Sequence, residues 1–185
     1  MTEERTLMHH VVAFVTVAIW GSTFISIKLL IHAGLSPAQI FTLRFLIAYV
    51  LMLVVGLWGP RGLGGRRLLS DSWQDEACMM LLGITGGSAF FLFQNEALAF
   101  STATNVSLIV CSCPLFTMIL LRLFYADTSL GRWQVLGTVF SFVGMAVVVL
   151  NGQFVLNLSP LGDFLALCAC LAWAVYSLVI KRMNK

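Results

Sequence analysis

Six long apolar runs constrain the fold of this 185-residue chain more than any other feature. The runs cover residues 10–31, 38–58, 77–100, 103–124, 133–151 and 162–181. A helix needs about 20 apolar residues, each rising 1.5 Å, to cross a bilayer, and every run is long enough. None alternates apolar and polar residues as a strand of a membrane barrel does. The sequence therefore predicts an all-α, polytopic membrane protein with six transmembrane helices.

Composition excludes several other classes of protein. Hydrophobic residues make up 59% of the chain and charged residues only 10%, against about 45–50% and about 25% in soluble domains. These values exclude a soluble globular domain, a disordered chain and a nucleic-acid-binding module. Six spans would use roughly 120–130 residues and leave no room for a soluble catalytic domain. The lipid bilayer is thus a predicted partner, and nucleic acid is not.

The distribution of Lys and Arg predicts the orientation of the helices. If both termini and loops two and four share one side, nine of the eleven basic residues lie there: Arg5, Arg61, Arg66, Arg67, Arg122, Arg132, Lys181, Arg182 and Lys185. Lys28 and Arg44 remain toward the other side, inside apolar runs. Because basic residues favour the cytoplasmic side, we expect both termini in the cytoplasm and the protein in the cell (inner) membrane.

The first and last apolar runs share a pattern. Four residue types recur there at the same spacing, first as Ala13, Trp20, Ile27 and Lys28 and then as Ala166, Trp173, Ile180 and Lys181. Five helices separate the two copies, so they would cross the bilayer in opposite directions. This arrangement is typical of an inverted-topology repeat, a common plan among transporters.

Short motifs extend along most of the chain in a characteristic order. They are Trp20-Gly21-Ser22-Thr23-Phe24, Leu43-Arg44-Phe45-Leu46, Glu96-Ala97-Leu98, Ser101-Thr102-Ala103, Pro114-Leu115, Gly162-Asp163 and Trp173-Ala174-Val175-Tyr176. In this order the sequence resembles the EamA-type permeases of the drug/metabolite transporter superfamily. The resemblance implies a fold of two inverted five-helix repeats that exports amino acids and other small metabolites. Ala126-Asp127 departs from the Gly-Glu that the family often has there.

The resemblance also implies a domain organisation. Residues 1–151 would form the first five-helix repeat, and residues 152–185 would begin the second. Ten spans with similar loops would need roughly 280–300 residues. We therefore expect a truncated or fragmentary permease, or else a half-transporter that completes itself by association.

Two tryptophans near the middle of their helices are the first candidates for a substrate site. Trp normally prefers the bilayer interfaces, so Trp20 and Trp173 are predicted to line a shared cleft and stack on substrate. Thr23 adds a hydroxyl to the Trp20 face, and Tyr176 follows Trp173 by about one turn. In the alternative interpretation, the indoles pack in a lipid-shielded core and donate hydrogen bonds to neighbouring helices.

Four charged residues form a second group toward the predicted external ends of their helices. Because an unpaired ion inside a membrane costs several kcal/mol, Arg44 and Glu96 are predicted to pair or to bind a charged substrate. A structural ion pair explains them equally well, and Glu96 is the candidate for coupling to protons. Lys28 is expected to extend to the lipid headgroups. Asp163 is expected to cap its helix.

Gln94, Asn95 and Asn105 are amides that flank the short turn between the third and fourth spans. Asn105 is predicted to contact substrate, although hydrogen bonds between helices explain all three amides equally well.

Backbone features of the middle spans give two further predictions. Pro114 should kink the fourth helix. Gly83 with Gly87, and Gly137 with Ser141, have the spacing of small residues that let helices pack closely.

Cysteine and histidine positions favour neither a disulfide framework nor a metal site. All five cysteines lie inside apolar runs, where each is predicted to be a small packing residue: Cys78, Cys111, Cys113, Cys168 and Cys170. His9, His10 and His32 have no Cys, Asp or Glu at ligand spacing. We predict no metal and no cofactor.

These features favour a secondary active transporter that moves a small polar or amphipathic metabolite outward by alternating access. A non-transporting membrane scaffold or subunit is the main alternative. A remote alternative is an intramembrane hydrolase with Ser22 or Ser88 as nucleophile. Because no histidine lies inside a span to activate a serine, the protein is predicted not to be an enzyme.

Overall fold

The computed structural model describes residues 2–58, 72–125, 131–150 and 159–183. Over these ranges the chain forms eight α-helices: α1 (Thr2–His32), α2 (Pro37–Trp58), α3 (Trp73–Leu82), α4 (Phe90–Phe100), α5 (Ala103–Val110), α6 (Cys113–Phe124), α7 (Arg132–Leu150) and α8 (Pro160–Met183). A π-helical segment, Gly83–Ala89, joins α3 to α4. Arg61, Arg66 and Arg67, which contribute to the predicted orientation, and Ala126-Asp127 lie outside the described residues.

Helices lie in all six of the predicted apolar runs. Helices α1, α2, α7 and α8 each occupy one run, α3 and α4 together occupy the third, and α5 and α6 occupy the fourth. Five of these are long and apolar enough to cross a membrane: Leu7–His32, Pro37–Gly56, Trp73–Phe100, Ala103–Phe124 and Pro160–Met183. Helix α7 has 19 residues, a length of about 28 Å. The protein is thus a polytopic helical membrane protein.

Local sequence signals set the turn between α1 and α2. Gly34 ends α1 with a φ of 97°, a left-handed conformation that glycine adopts without a steric penalty. Ser36 and Gln39 then form a capping box, in which each side chain accepts a hydrogen bond from the other residue's N–H, at 2.9 and 3.2 Å. Pro37 occupies the first position of α2, where its missing N–H costs nothing. The turn is therefore short and makes the two helices neighbours.

The fourth span is interrupted rather than only kinked. Helix α5 ends at Val110, and α6 begins at Cys113 with Pro114 in its first turn. Pro114 has no N–H to donate to Val110, and its ring would clash with that carbonyl in a continuous helix. The predicted distortion is thus present, but the break lies ahead of the proline. The carbonyl of Ile109 accepts hydrogen bonds from the N–H and the hydroxyl of Ser112 instead.

Helix α8 is the central element of the bundle and packs against α4, α5 and α6. It presents small buried side chains to these neighbours, namely Ala166, Ala169, Cys170 and Ala174. Contacts pair Phe90 with Trp173 and the end of α4 with Gly162, so α4 and α8 run antiparallel. Helix α7 contacts α5 from the side.

The close glycine contacts lie at other positions than predicted. A Cβ added to Gly83 or Gly137 would meet no atom within 4 Å, so the prediction of tight packing there is wrong. A Cβ on Gly162 would instead lie 2.6 Å from Ser101 Cβ and 3.0 Å from Ser101 N. Gly86 is equally crowded. The spacing of small residues does not specify which helix face meets a neighbour.

Candidate functional site

Five aromatic and phenolic rings meet near the middle of the bundle. Trp20 of α1 and Trp173 of α8 stack with ring centroids 6.5 Å apart and an interplanar angle of 26°. Phe24 lies 6.4 Å from Trp20, while Phe90 and Tyr176 lie 5.0 and 5.1 Å from Trp173. We call these five residues the aromatic cluster. It joins the first and last helices of the chain through their two matching tryptophans.

The π-helical segment fixes one side of the aromatic cluster. The Tyr176 ring lies directly on Gly86, where a Cβ would come within 2.7 Å of the ring carbon atoms Cγ and Cε2. Glycine is therefore required for this contact. Short π-helical segments inside α-helices are often found at functional sites. Sequence reasoning missed Gly86, and the adjacent pair Gly86-Gly87 inside an apolar run is the signal that could have found it.

Trp20 combines a stacked ring face with solvent- or lipid-accessible surface. It is 37% exposed, whereas Trp73 and Trp133, at the starts of α3 and α7, are each 85% exposed. The latter two have the positions expected of an interfacial aromatic belt. Trp173 instead stacks on one side of Trp20, and part of the indole surface stays accessible. Aromatic faces bind both planar groups and cations.

Arg44 lies over Phe91, a ring that packs against Phe90 of the aromatic cluster. Its guanidinium carbon lies 5.4 Å from the centroid of Phe91. Phe91 in turn contacts Phe90 at 5.0 Å and Phe45 at 5.6 Å, both edge to face. A positive charge is thus placed beside the same set of rings, in the membrane-spanning part of α2.

The predicted ion pair between Arg44 and Glu96 does not form among the described residues. The reason is the register of α2 and α4. Asn95 Nδ2 donates a hydrogen bond of 3.4 Å to the carbonyl of Pro37, which places Glu96 level with the start of α2. Arg44 lies about two turns further along α2. Glu96 is partly buried toward the end of α4.

Thr23 and Asn105 lie outside the ring contacts. The Thr23 hydroxyl donates a 2.6 Å hydrogen bond to the carbonyl of Trp20 and so remains on its own helix. Asn105 is buried at the start of α5, where its N–H donates to Thr102 Oγ1. Of the seven predicted site residues, the structure brings Trp20, Trp173 and Tyr176 together and places Arg44 one ring away. Thr23 neighbours Trp20, while Glu96 and Asn105 lie toward the turn between α4 and α5.

A hydrogen-bonded junction lies at the end of the bundle where α1 and α4 end and α8 begins. Lys28 Nζ donates to the carbonyls of Leu98 and Ser101, at 2.7 and 2.8 Å. Ser101 Oγ donates to Asp163 Oδ1 at 3.1 Å, and the N–H of Ser159 donates to Asp163 Oδ2 at 3.1 Å. We call Lys28, Leu98, Ser101 and Asp163 the Lys28 junction. It connects α1, the end of α4 and the start of α8.

The Lys28 junction corrects one prediction and extends another. Lys28 does not extend to the lipid headgroups, because the last carbonyls of α4 accept its hydrogen bonds and the helix dipole favours a cation there. Asp163 caps α8 as predicted, and it also accepts the hydrogen bond of Ser101. The sequence could not predict the hydrogen bond from Lys28 to Ser101, since the two residues are distant in the chain.

Gln94 is a second candidate site residue, which the sequence analysis did not select over Asn105. It is 0% exposed, and neither its Nε2 nor its Oε1 has a hydrogen-bond partner among the described residues. It lies one turn beyond Phe90 on the face of α4 that packs against α8. An unpartnered buried amide costs about 1–3 kcal/mol. Gln94 is therefore a hydrogen-bonding group that a ligand or a change of helix packing could satisfy.

Within the described ranges, no group of three or more His, Cys, Asp or Glu residues could hold a metal ion.

The sequence comparisons agree with this architecture. Residues 7–150 match the EamA-like transporter family. The chain belongs to that family. No solved structure matches the chain.

Several curated relatives of this EamA-like protein are named as transporters. An uncharacterized transporter of Archaeoglobus fulgidus is 29% identical over 173 residues, which are 94% of this chain and 57% of the relative. An uncharacterized transporter of Bacillus subtilis is 28% identical over 154 residues, which are 81% of this chain and 48% of the relative. A probable amino-acid metabolite efflux pump of Escherichia coli is 27% identical over 94% of this chain and 53% of the pump. The EamA-like chain thus spans about half the length of these relatives.

Proposed function

We propose that this EamA-like protein is a secondary active transporter, or part of one, that exports small metabolites such as amino acids across the cell (inner) membrane. The observation that carries the proposal is the stack of Trp20 on Trp173, which joins the two helices that share a repeated pattern. Membership of a transporter family supports it. The name of the Escherichia coli relative supports amino acids as the substrate class.

The proposed substrate site has one surface for each part of an amphipathic metabolite. The accessible part of Trp20 would stack on an apolar side chain. Arg44 carries a charge that suits a carboxylate, because a guanidinium makes strong charge-assisted hydrogen bonds to it. Tyr176 and Gln94 would bind the remaining polar groups. Substrate binding would thereby give the Gln94 amide the partner that it lacks in this conformation.

The proposal includes a domain organisation and an orientation. Residues 1–151 would be the first five-helix repeat and residues 152–185 the start of the second, and the family match ending at residue 150 supports this boundary. Both termini would be cytoplasmic, so the Lys28 junction would lie at the external end. This conformation would then be closed to the outside, and export would require the junction to open.

Counterflow into proteoliposomes tests the proposed function. Liposomes holding the protein, expressed from its complete reading frame, are loaded with one unlabelled amino acid and mixed with the labelled form outside. We expect saturable counterflow for at least one amino acid. Trp173→Ala and Arg44→Gln should reduce it by tenfold or more, and Trp133→Ala should leave it unchanged. Counterflow equal to that of empty liposomes for every amino acid would contradict the proposal.

If a pH gradient drives transport, we propose that Glu96, a partly buried carboxylate in the third span, is the coupling residue. We expect Glu96→Gln to abolish transport driven by a pH gradient and to preserve counterflow, because exchange needs no net proton movement. Transport by Glu96→Gln that still follows the pH gradient would remove Glu96 from the coupling step.

A further inference from the structure

Two buried thiols from different helices lie in direct contact. Cys113, the first residue of α6, donates its S–H to the sulfur of Cys170 on α8, with the sulfurs 3.0 Å apart. Both residues are buried and neither forms a disulfide. The sequence contains two separate C-x-C pairs, Cys111 with Cys113 and Cys168 with Cys170. The contact joins one cysteine from each pair.

The break in the fourth span holds these thiols together. Because α5 ends at Val110, the carbonyl of Ile109 is free to accept hydrogen bonds from outside its own helix. It accepts one from the Cys170 thiol at 3.2 Å and others from Ser112. The interrupted backbone is thus connected to α8 at the position where Cys113 meets Cys170.

We propose that Cys113 and Cys170 form a redox-active dithiol site, which a lipid-soluble quinone oxidises to a disulfide. Two S–H bonds break and one S–S bond forms. The two electrons and two protons pass to the quinone, which leaves as the quinol. The sulfurs must approach by about 1 Å to reach the disulfide bond length of about 2.05 Å.

The depth of the site selects the class of oxidant. Cys113 lies about ten residues from the start of α5, and Cys170 about ten from the start of α8, so both are about 15 Å inside their spans, near the bilayer midplane. A lipid-soluble oxidant reaches this depth through the bilayer itself. An apolar groove of about 390 Å³ is lined by Ile109, Ser112 and Leu167 among others, and the Ile109 carbonyl accepts the hydrogen bond of the Cys170 thiol. A quinone in this groove would lie next to residues that contact the thiols.

The expected consequence for transport rests on the proposed function. A disulfide would tie α6 to α8 about one turn from Trp173. Alternating access requires packed helices to change their relative positions, so the bond would hold the protein in one conformation. Oxidation should therefore stop transport reversibly.

Thiol counting on the intact protein tests the dithiol site. The full chain in detergent is treated with decylubiquinone or, as a stronger lipophilic oxidant, with copper phenanthroline in air. It is then denatured and labelled with a maleimide. We expect the labelled thiols to fall from five to three, with no gain in oligomer mass and with peptide mapping that joins Cys113 to Cys170. Cys113→Ser and Cys170→Ser should keep all four of their remaining thiols, whereas the matched control Cys78→Ser should fall from four to two.

Several outcomes would overturn the proposal. Five labelled thiols after copper phenanthroline treatment of the folded wild-type protein would refute the site, as would a mapped bond at another cysteine or between two chains. Formation of the disulfide with copper phenanthroline but not with decylubiquinone would refute the quinone as oxidant. These results do not depend on the folding of any variant.

The counterflow assay separates this proposal from the proposed function. Oxidised wild-type protein should lose at least tenfold in rate and recover with a lipophilic dithiol reductant, while Cys113→Ser should be insensitive to the oxidant. If the protein closes the disulfide but transports nothing before oxidation, the proposed function fails and the dithiol site stands. If oxidised protein with a mapped disulfide still transports at the original rate, the conformational lock is refuted.

Discussion

The Lys28 junction and the aromatic cluster both connect α1, α4 and α8, and they do so with different chemistry. The junction uses directed hydrogen bonds of 2.7–3.1 Å from an ammonium, a hydroxyl and an N–H group. The aromatic cluster uses ring contacts at 5.0–6.5 Å with varied interplanar angles. Ring contacts tolerate sliding and rotation, whereas hydrogen bonds to backbone carbonyls do not.

On the proposed function, the two regions would have different roles. The Lys28 junction would close one end of the bundle in a defined geometry. The aromatic cluster would bind a ligand, since Trp20 keeps accessible surface and Gln94 has no hydrogen-bond partner within the described part of the chain. Substitutions in the two regions should therefore have separable effects on stability and on transport.

The largest loss of stability is expected in the aromatic cluster, from Trp173→Ala. It removes ring contacts with Trp20, Phe90 and Tyr176, and we expect a loss of about 3 kcal/mol in the free energy of unfolding. Trp133→Ala, which removes an 85% exposed indole, should change it by less than about 0.5 kcal/mol. Unfolding of both variants in one detergent measures the difference. Equal losses would mean that the aromatic cluster contributes no packing energy.

Gly162→Ala tests the close approach that allows the Lys28 junction to form. The new Cβ would collide with Ser101, so we expect a loss of about 1–3 kcal/mol from overpacking. Gly21→Ala is the matched control, because a Cβ there meets no atom within 4 Å and alanine favours a helix. In thermal unfolding, the midpoint temperature should therefore fall for Gly162→Ala and not for Gly21→Ala. Equal midpoints for the two variants would contradict the close contact.

Lys28→Met tests the hydrogen bonds of the junction directly. The substitution leaves the carbonyls of Leu98 and Ser101 without their donor, at an expected cost of about 1–2 kcal/mol. Ser26→Ala, on the same helix, removes a hydroxyl that bonds only to the carbonyl of Ser22 and should cost less than about 0.5 kcal/mol. Chemical unfolding of the two variants gives the comparison. A Lys28→Met protein as stable as Ser26→Ala would indicate that the ammonium is solvated elsewhere.

Gln94→Met has the smallest expected effect and the opposite sign. It replaces an amide without hydrogen-bond partners by an apolar side chain of similar length, so we expect a gain of about 1 kcal/mol in stability together with loss of counterflow. Gln39→Met, which breaks the capping box of α2, should lose about 1 kcal/mol and keep counterflow. A loss of stability in Gln94→Met would show that the amide has a partner after all.

The sequence predicts the spans well because the bilayer imposes one requirement on every membrane helix. Backbone groups must bond within the helix, so apolar length alone identifies the spans. The same pattern could not predict the π-helical segment at Gly83–Ala89, where Tyr176 of α8 lies on Gly86. Pro114 predicted a distortion of the fourth span but not its place ahead of Cys113.

Site residues that occupy equivalent positions of the repeated pattern could be predicted from the sequence. Contacts that depend on the register of one helix against another could not. Trp20 and Trp173 could be found because they occupy equivalent places in a repeated pattern. Arg44 was predicted beside Glu96, but the antiparallel register of α2 and α4 places it over Phe91 instead. Lys28 could not be assigned to Leu98 and Ser101, because no local rule links side chains so distant in the chain.

A double-mutant cycle between Trp20 and Trp173 tests the central claim most directly. The free energies of unfolding of Trp20→Ala, Trp173→Ala and the double variant are measured under one set of conditions. If the two indoles stack between α1 and α8, the coupling energy should be about 0.5–1.5 kcal/mol. A coupling energy of zero would mean that the indoles do not touch, and the shared aromatic cluster would not exist.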